Sequence, residues 1–400
     1  MIAKPVTIVE LTEYKPKPLA QSDLPEILGI KLFQEHQKRI EVEFPSPKTS
    51  FQWRLTSLGW VGAIPLSSEL TLMLKPKVPL GNLFRMLEYA YRLDFKLLDG
   101  LLQCESLTEF YERLANVLAK RILDRERMGL HRSYVSREEL LPCIRGRLDV
   151  ASSVRNPWRV ELDCKFEEHT ADITDNKILS WTLRMILQSG LCSERIRPTV
   201  RQAYRGLQGA AMLTPISSSS CINRLYHRLN ADYEPLHALC RFFLEHSGPS
   251  HQTGNHDMLP FLVDMARLFE LFVAEWLKQN LPEQFELLVQ HNVSVGESDQ
   301  LNYQIDLVLR DRDTGKALCV LDTKYKSTDS PANDDVNQVV TYAELQGCHK
   351  AVLLYPSPLA KVSTLKVGRF NVGCFAFNLN GDLEAAGKLL LKQILAFSQP

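Results

Sequence analysis

The stretch QIDLVLRDRDTGKALCVLDTKYK, residues 304–326, contains two apolar runs separated by a short polar turn with a glycine. Two such runs around a short turn predict an antiparallel β-hairpin. Asp306 interrupts the first run, and Asp322 lies near the end of the second, two residues before Lys324. Because side chains alternate along a strand, Asp322 and Lys324 are expected on one face, about 7 Å apart. A suitable register would also bring Asp306 beside Asp322.

Carboxylates in this arrangement predict a metal site. Two neighbouring carboxylates beside an apolar sheet repel each other when ionised, and a divalent cation removes that cost. Oxygen ligands without Cys or His favour Mg²⁺, which keeps several waters and binds substrate phosphates. We therefore predict that Asp306 and Asp322 bind Mg²⁺ and that the reaction is phosphodiester hydrolysis, with Lys324 orienting water or stabilising developing charge. A single Asp in a strand is usually a strand-end or turn residue, and a single Lys is usually solvated. The prediction of a catalytic site therefore depends on the combination of all three residues.

Helices flanking the hairpin add polar candidates. Glu270 lies inside an apolar helical segment, where it either serves the site or is solvated at the helix edge. Glu275 competes with it for a functional role. Gln338 and Tyr342 are four residues apart and share one face of the helix predicted for residues 334–345. That face is expected near the strand ends, within reach of DNA phosphate or of the lysine.

The chain as a whole is predicted to be a multidomain α+β protein with three regions. Residues 1–80 are β-rich, because short apolar segments alternate with Pro, Gly and Ser. Residues 81–255 are mainly helical, because apolar residues recur at three- and four-residue spacing. Residues 256–400 have the pattern of an α/β sandwich around one mixed sheet. We interpret the histidines at 246, 251 and 256 as part of a Gly/Ser/Pro-rich linker, in preference to a metal site.

Individual elements follow from the same patterns. The strands predicted in the first region are residues 6–11, 39–44, 59–64 and 70–74. The helices predicted in the middle region are residues 82–97, 107–127, 175–188, 196–207 and 235–245, with a strand and turn at 140–150. The helices predicted in the last region are residues 258–279, 334–345 and 383–397, and its strands are residues 285–295, 303–310, 317–324, 351–355 and 372–377.

Composition excludes several classes of protein. Of the 400 residues, 45% are hydrophobic and 24% charged, which excludes wholesale disorder and fibrous repeats. No run of 18 apolar residues predicts a membrane helix, and the N-terminus lacks an apolar secretion signal. The nine cysteines form no C-x-x-C pair, which argues against a disulfide framework or a structural zinc site. We predict a cytoplasmic protein with reduced thiols.

Charge and missing motifs point to partners. The net charge is zero, yet residues 256–400 carry 13 basic and 18 acidic side chains. Residues 81–255 carry 24 basic side chains, of which 20 are arginine, a residue that suits nucleic acid, a partner surface or ordinary ion pairs equally. No P-loop sequence occurs, so any nucleotide used by an associated energy-dependent process must bind to a partner.

The residues quoted above resemble those of the PD-(D/E)XK nuclease superfamily, in the form found in the McrC family. Asp306, then Asp322-Thr-Lys324, then Gln338 and Tyr342 match its motif in order. Ile305 stands where the superfamily name has proline, at a position that varies among such nucleases. The similarity extends over about residues 55–355. Further McrC-like stretches are residues 74–78, 82–90, 145–147, 166–168 and 176–179, with Asp172.

This resemblance implies a function and a set of roles. McrC-like proteins cut DNA with Mg²⁺ and work with McrB, a hexameric AAA+ GTPase that recognises modified cytosine and translocates DNA. Their N-terminal half docks into the McrB ring and stimulates GTP hydrolysis. The roles carried over are metal ligands for Asp306 and Asp322, catalytic lysine for Lys324, accessory acid for Glu270, and supporting positions for Gln338 and Tyr342.

The front half is accordingly expected to dock onto the GTPase and to stimulate it. An arginine that reaches a nucleotide site in trans contributes several orders of magnitude in rate. Arg145 and Arg147, which flank Gly146 in an exposed-looking turn, are the candidates for this role, against ordinary DNA contacts or structural roles.

We therefore predict an Mg²⁺-dependent endodeoxyribonuclease subunit of a phage-defence restriction complex. It would act on double-stranded DNA with modified cytosine, together with a McrB-like GTPase hexamer that binds the GTP. Two alternatives remain. One is a stand-alone repair or structure-specific nuclease, which would cut without a GTPase. The other is a non-catalytic activator, whose nuclease fold would only position DNA or hold the GTPase ring.

Overall fold

The computed structural model describes residues 7–398, apart from residues 68, 94–103, 105, 157, 190–191, 247–260, 296–300 and 362. By its contacts the chain forms two compact units. The first unit combines Met1–Leu107 with Leu262–Pro400, and the second comprises Thr108–Phe261. The β-rich region 1–80 and the α/β region 256–400, which the sequence divides from each other, thus contribute to the same unit.

The N-terminal part of the first unit is mostly β-structure. Its elements are β1 (Thr7–Thr12), β2 (Lys17–Leu19), α1 (Glu26–His36), β3 (Ile40–Glu43), β4 (Trp53–Ser57), β5 (Trp60–Pro65), β6 (Leu70–Lys75) and α2 (Leu80–Tyr91). The four predicted strands are confirmed, whereas helix α1 was not predicted. This helix follows Pro25 and buries Gly29 and Leu32. A Cβ on Gly29 would collide with the Trp53 ring, so the close approach of α1 to β4 requires glycine there.

The second unit contains helices and a small antiparallel sheet. Its elements are α3 (Leu107–Met128), β7 (Ser133–Leu141), β8 (Arg147–Leu148), α4 (Val150–Arg155), β9 (Leu162–Thr170), α5 (Thr174–Gln188), α6 (Arg197–Gln208) and α7 (Tyr233–His246). The sheet has the order β7-β9-β8. The mainly helical interpretation of this region omitted β9 and all but the last two residues of β7. In β9 only Cys164 and Phe166 are buried, and β7 has no buried residue, so the apolar alternation is short or missing.

The C-terminal part of the first unit has the predicted α/β pattern. Its elements are β10 (Phe261–Asp264), α8 (Met265–Asn280), β11 (Phe285–Val295), β12 (Leu301–Asp311), β13 (Ala317–Thr323), α9 (Asn333–Leu345), β14 (Lys350–Tyr355), β15 (Thr364–Val367), β16 (Phe370–Ala376) and α10 (Leu383–Ser398). Helix α8 begins later than predicted, because the Asp264 carboxylate accepts hydrogen bonds from the N–H groups of Ala266 and Arg267 and caps it there. The predicted start at residue 258 lies outside the described residues.

These C-terminal strands form one mixed sheet of six, in the order β11-β12-β13-β14-β16-β15. Strand β13 is antiparallel to β12 and parallel to β14. Both central strands, β13 and β14, are almost continuously buried, as strands covered on both faces must be. Helix α9 packs against them through Val339 and Ala343, which belong to the same core as Val320 and Leu353. The sheet therefore holds the carboxyl end of β13 rigidly beside the start of α9.

A second sheet joins the two chain segments of the first unit. Its order is β1-β6-β5-β10, so β10 from the C-terminal segment extends a sheet of N-terminal strands. The N–H of Met265 donates a hydrogen bond to the carbonyl of Gly59 at 3.0 Å, which continues this pairing. Among the helices in the described part of the chain, none is both long enough and apolar enough to cross a membrane.

Candidate active site

The candidate site lies at the end of the β12–β13 hairpin. Leu307 is paired with Leu321 in this antiparallel ladder. Continuing the register by one residue places Asp306 opposite Asp322, and directly opposed side chains of an antiparallel pair share a face. The sequence made this neighbourhood depend on the register of the hairpin, and the register in the structure brings the two carboxylates together.

The carboxylate of Asp306 is fixed by one residue of the partner strand. Its Oδ2 accepts hydrogen bonds from both the backbone N–H and the hydroxyl of Thr323, each at 2.9 Å. Burial raises the pKa of Asp306, and the nearby charge of Glu270 raises it further, while the Thr323 hydrogen bonds act in the opposite direction. Thr323 lies between Asp322 and Lys324, and its role was not predicted.

Asp322 and Lys324 form an ion pair. Lys324 Nζ lies 2.7 Å from Asp322 Oδ2, and the Asp322 side chain is almost completely buried. Burial and the neighbouring Asp306 raise the pKa of Asp322 to about 7. Burial opposes the charge of Lys324, but Asp322 beside it outweighs this effect and raises the pKa of Lys324. The two side chains share a face, as strand periodicity predicted.

The polar pair on α9 contacts this lysine. Lys324 Nζ donates a hydrogen bond to Gln338 Oε1 at 2.9 Å, and Gln338 Nε2 donates one to the Tyr342 hydroxyl at 2.7 Å. Of the two contacts considered for this pair, the structure contains the one with the lysine. The chain Tyr342–Gln338–Lys324–Asp322 fixes the position of the ammonium group.

The two glutamates of α8 have different surroundings. Glu270 Oε1 accepts hydrogen bonds from Arg267 at 2.8 Å and from Gln290 Nε2 at 2.9 Å, and its charge acts on Asp306. Glu275 instead pairs with Arg92 at 2.8 Å and Lys278 at 3.2 Å. Glu270 is therefore the acid on α8 that belongs to the site, and Glu275 links α8 to the end of α2.

Two further residues of the site were not predicted. Gln290 has a left-handed backbone with φ 51°. It lies in β11 opposite Asp306, where the pairing of β11 with β12 is interrupted for one residue pair. The register is the same on both sides of this interruption, and the Gln290 side chain donates a hydrogen bond to Glu270. Asp335, in the first turn of α9, pairs with Lys326 at 2.7 Å and helps to raise the pKa of Asp322. Nothing in the sequence indicates the left-handed backbone at Gln290, whereas the Asp334-Asp335 pair at a helix start is a recognisable pattern.

The donor set fits a hard divalent cation that keeps waters. Asp322 Oδ2 is ion-paired with Lys324, yet burial and the charge of Asp306 still raise the pKa of Asp322. A divalent cation shared by the two carboxylates would offset their mutual repulsion and the cost of their burial. The described residues contain no group of three or more His, Cys, Asp or Glu side chains arranged to hold a metal ion. Two carboxylates with water and phosphate as remaining ligands suit Mg²⁺ better than Zn²⁺.

The candidate arginines of the second unit lie at strand β8. Arg145 stacks on the Phe166 ring at 4.0 Å and lies 3.8 Å from Glu168. Arg147 pairs through its backbone with Lys165 of β9 and is exposed. Gly146 between them has φ 69°, and a Cβ there would collide with the Lys165 carbonyl. His246, from the histidine-containing linker, is buried, while His251 and His256 lie outside the described residues.

Comparison with known proteins places these features in context. The family model described as McrBC 5-methylcytosine restriction system component matches residues 55–356. The Type IV methyl-directed restriction enzyme EcoKMcrBC of Escherichia coli is 26% identical over 216 residues, which cover 52% of this chain and 61% of that protein. The chain thus spans about three fifths of the length of this curated relative.

The whole chain also has the fold of a chain in a solved assembly. That assembly is the Thermococcus gammatolerans complex of McrB AAA+ hexamers with bound McrC. The match has a TM-score of 0.56 and 19% sequence identity, and it covers 98% of this chain and 100% of the other.

Proposed function

The chain belongs to the family of McrBC 5-methylcytosine restriction system components, and on this premise we propose that it is the DNA-cutting subunit of a modification-dependent restriction complex. The proposed activity is that of an Mg²⁺-dependent endodeoxyribonuclease with a PD-(D/E)XK site. The single observation that supports it most is the arrangement of Asp306, Asp322 and Lys324 at one end of the hairpin, with an ion pair of 2.7 Å between the last two.

Asp306 and Asp322 are the residues that would hold Mg²⁺. Bound there, Mg²⁺ would polarise the scissile phosphate and lower the pKa of a water ligand. Thr323 holds the Asp306 carboxylate in place through two hydrogen bonds, so that this oxygen set needs little rearrangement on binding. Glu270, held by Arg267 and Gln290, supplies negative charge next to Asp306 as an accessory acid.

Lys324 acts as a fixed positive charge. Hydrolysis forms a bond between the water oxygen and phosphorus and breaks one phosphorus–oxygen ester bond, while the water proton passes by way of solvent to the departing ester oxygen. Negative charge builds up on the phosphate oxygens during this exchange. Because Asp322 keeps Lys324 protonated, the ammonium donates hydrogen bonds and stabilises that charge, and it does not serve as the base. Gln338, with Tyr342 behind it, holds Nζ at its position.

We also propose that the complex includes an AAA+ GTPase. The matching fold comes from an assembly of McrB hexamers with bound McrC, and the present sequence has no P-loop of its own. The partner would bind GTP and recognise the modified cytosine in double-stranded DNA, and this chain would stimulate GTP hydrolysis through its front half, with Arg145 or Arg147 at the interface. The complex would act in the cytoplasm against phage DNA.

Cleavage assays test this proposal. The purified chain is incubated with methylated or unmethylated DNA, with Mg²⁺ or EDTA, and with or without its GTPase partner and GTP. The proposal expects double-strand cleavage of methylated DNA only when Mg²⁺, partner and GTP are all present. Robust cutting by the chain alone would instead support the stand-alone nuclease. Stimulation of GTP hydrolysis without any cutting would support the non-catalytic activator.

A further inference from the structure

A buried carboxylate from the N-terminus lies next to the proposed nuclease motif. Glu13 directly follows strand β1, and its side chain has an exposed fraction of 0%. Its Oε2 accepts hydrogen bonds from the backbone N–H of Lys77 at 2.9 Å and from the Tyr325 hydroxyl at 3.3 Å. Tyr325 is the residue after Lys324, so a residue 312 positions away in sequence contacts the end of the motif.

The backbone at the end of β13 is anchored at three successive residues. The N–H of Thr323 is bound by Asp306 on β12, at 2.9 Å. The N–H of Lys324 donates to the carbonyl of Leu354 on β14, at 2.8 Å. The Tyr325 side chain, on the opposite face from Lys324, carries the third anchor through its hydroxyl. Since β13 ends at Thr323, this third contact holds the chain where no sheet pairing continues.

The Tyr325 ring also contacts helix α8. Its centroid lies 5.9 Å from that of Phe269, the neighbour of Glu270 on α8. A shift of this ring would therefore act on both Lys324 and the segment that carries Glu270. The hydrogen bond from the Tyr325 hydroxyl to Glu13 restrains the Tyr325 ring.

Stability alone does not account for a carboxylate at position 13. Within the described residues, no hydrogen bond reaches its Oε1, and burial raises the pKa of the group. A buried carboxylate that lacks partners for one oxygen costs free energy, and an apolar side chain of similar size in its place is often neutral or stabilising. What the carboxylate provides is a directed contact with Tyr325 and with the Lys77 backbone.

We propose that Glu13 is a positioning residue of the nuclease site, acting through Tyr325 on the backbone of Lys324. This inference rests on the proposed nuclease function. It also means that the site is not contained in residues 256–400, because a residue of the β-rich N-terminal segment completes its support.

The test uses the full-length chain with its GTPase partner, GTP and Mg²⁺. The variants are Glu13→Leu, which removes the acceptor, Tyr325→Phe, which removes only the hydroxyl, and Glu13→Gln, which keeps an acceptor without the charge. Glu10→Gln is the matched control, since Glu10 lies on β1 and its exposed carboxylate pairs with Lys75. Three quantities are measured: kcat and KM for DNA cleavage, thermal stability, and amide hydrogen exchange of residues 321–327.

Glu13→Leu and Tyr325→Phe are each expected to lower kcat about tenfold with KM for DNA unchanged, as the loss of one hydrogen bond to a charged group predicts. Exchange at residues 321–327 should rise by a similar factor. Glu13→Gln should recover most of the activity, Glu10→Gln should match the unchanged chain, and Glu13→Leu should be no less thermostable.

Two results would contradict the inference. Unchanged kcat and unchanged exchange in both Glu13→Leu and Tyr325→Phe would exclude a positioning role. A fall in activity only in step with lost thermal stability would assign Glu13 to folding instead. If the unchanged chain cuts no DNA, the proposed function fails, and the exchange measurement alone still decides whether Glu13 holds this backbone.

Discussion

Thr323 donates two hydrogen bonds to one oxygen of Asp306, from its backbone N–H and from its hydroxyl, both at 2.9 Å. The residue between Asp322 and Lys324 therefore orients the carboxylate on the neighbouring strand. A single residue on β13 couples the two halves of the proposed metal site.

Replacing Thr323 tests this coupling. Thr323→Val keeps the shape and the backbone hydrogen bond but removes the hydroxyl, at a cost of about 1–2 kcal/mol. We expect cleavage to slow about tenfold and to require more Mg²⁺, while Thr323→Ser stays close to the unchanged chain. Cleavage rates measured over a range of Mg²⁺ concentrations provide the check, and equal rates for the Val and Ser variants would contradict it.

The lysine prediction has a matched control in the same hairpin. Lys324→Ala should lower cleavage by about 10³-fold or more, because an oriented charge is lost from a dry site. Lys316→Ala removes an exposed lysine from the turn and should leave cleavage unchanged. Partner binding, measured by gel filtration of the complex, should be intact in both variants. Cleavage by Lys324→Ala at the normal rate would show that the site is wrongly assigned.

Substitutions of the two glutamates of α8 are expected to affect cleavage differently. Glu270→Gln should lower cleavage about tenfold or more, because it removes negative charge beside Asp306. Glu275→Gln weakens a surface ion pair with Arg92 and should change stability by less than about 1 kcal/mol without affecting cleavage. Parallel cleavage and denaturant-unfolding measurements test both expectations, and a larger loss of cleavage in Glu275→Gln would reverse the assignment.

Stimulation of the GTPase should depend on one arginine of β8. Both arginines are exposed, but Arg145 is stacked on Phe166 and lies 3.8 Å from Glu168. Arg147→Ala is therefore expected to lower the stimulated GTP turnover by about 10³-fold, the scale of an arginine acting in trans. Arg159→Ala, an exposed arginine of the same unit, serves as the control. Steady-state GTP hydrolysis is the measurement, and full stimulation by Arg147→Ala would exclude this residue.

Acid should destabilise the second unit through a buried histidine. His237 has an exposed fraction of 1%, and burial lowers its pKa to about 4 from 6.5. Between pH 6.5 and pH 4 the unfolded chain binds more protons than the folded chain. The contribution of His237 to the free energy of unfolding is therefore fully present above pH 6.5 and falls by about 3 kcal/mol in total as the pH drops toward 4. Denaturant unfolding across this range should show a weaker pH dependence in His237→Gln than in the unchanged chain. Exposed His169→Gln should change nothing, and identical pH dependence in all three proteins would refute the assignment.

The sequence was sufficient to predict the residues whose positions depend on strand periodicity. Asp322 and Lys324 alternate on one strand, and Asp306 follows from the hairpin register, so local geometry decides all three. Gln338 and Tyr342 followed from helical spacing in the same way. The central strands β13 and β14 were predictable because they are nearly continuous apolar runs.

The remaining parts of the site depend on tertiary contacts that leave no local pattern. Gln290 hydrogen-bonds Glu270 from a position in β11 where its backbone is in the left-handed region, a conformation that the local sequence does not indicate. Glu13 meets Tyr325 only once two distant chain segments have joined. Helix α1 and strand β9 escaped prediction for a related reason, since each has few buried positions and therefore a weak periodic pattern.

The discontinuous first unit has a consequence for synthesis on the ribosome. Glu13 leaves the peptidyl-transferase centre 312 residues before Tyr325, which amounts to roughly 15–60 s at about 5–20 residues per second. Until residues 261–264 are made, late in that interval, the N-terminal strands have no β10 to pair with, while the inserted second unit, Thr108–Phe261, is being synthesised. The nascent chain therefore carries an open sheet edge while its middle folds. Chaperone occupancy is expected to concentrate on this stage of translation.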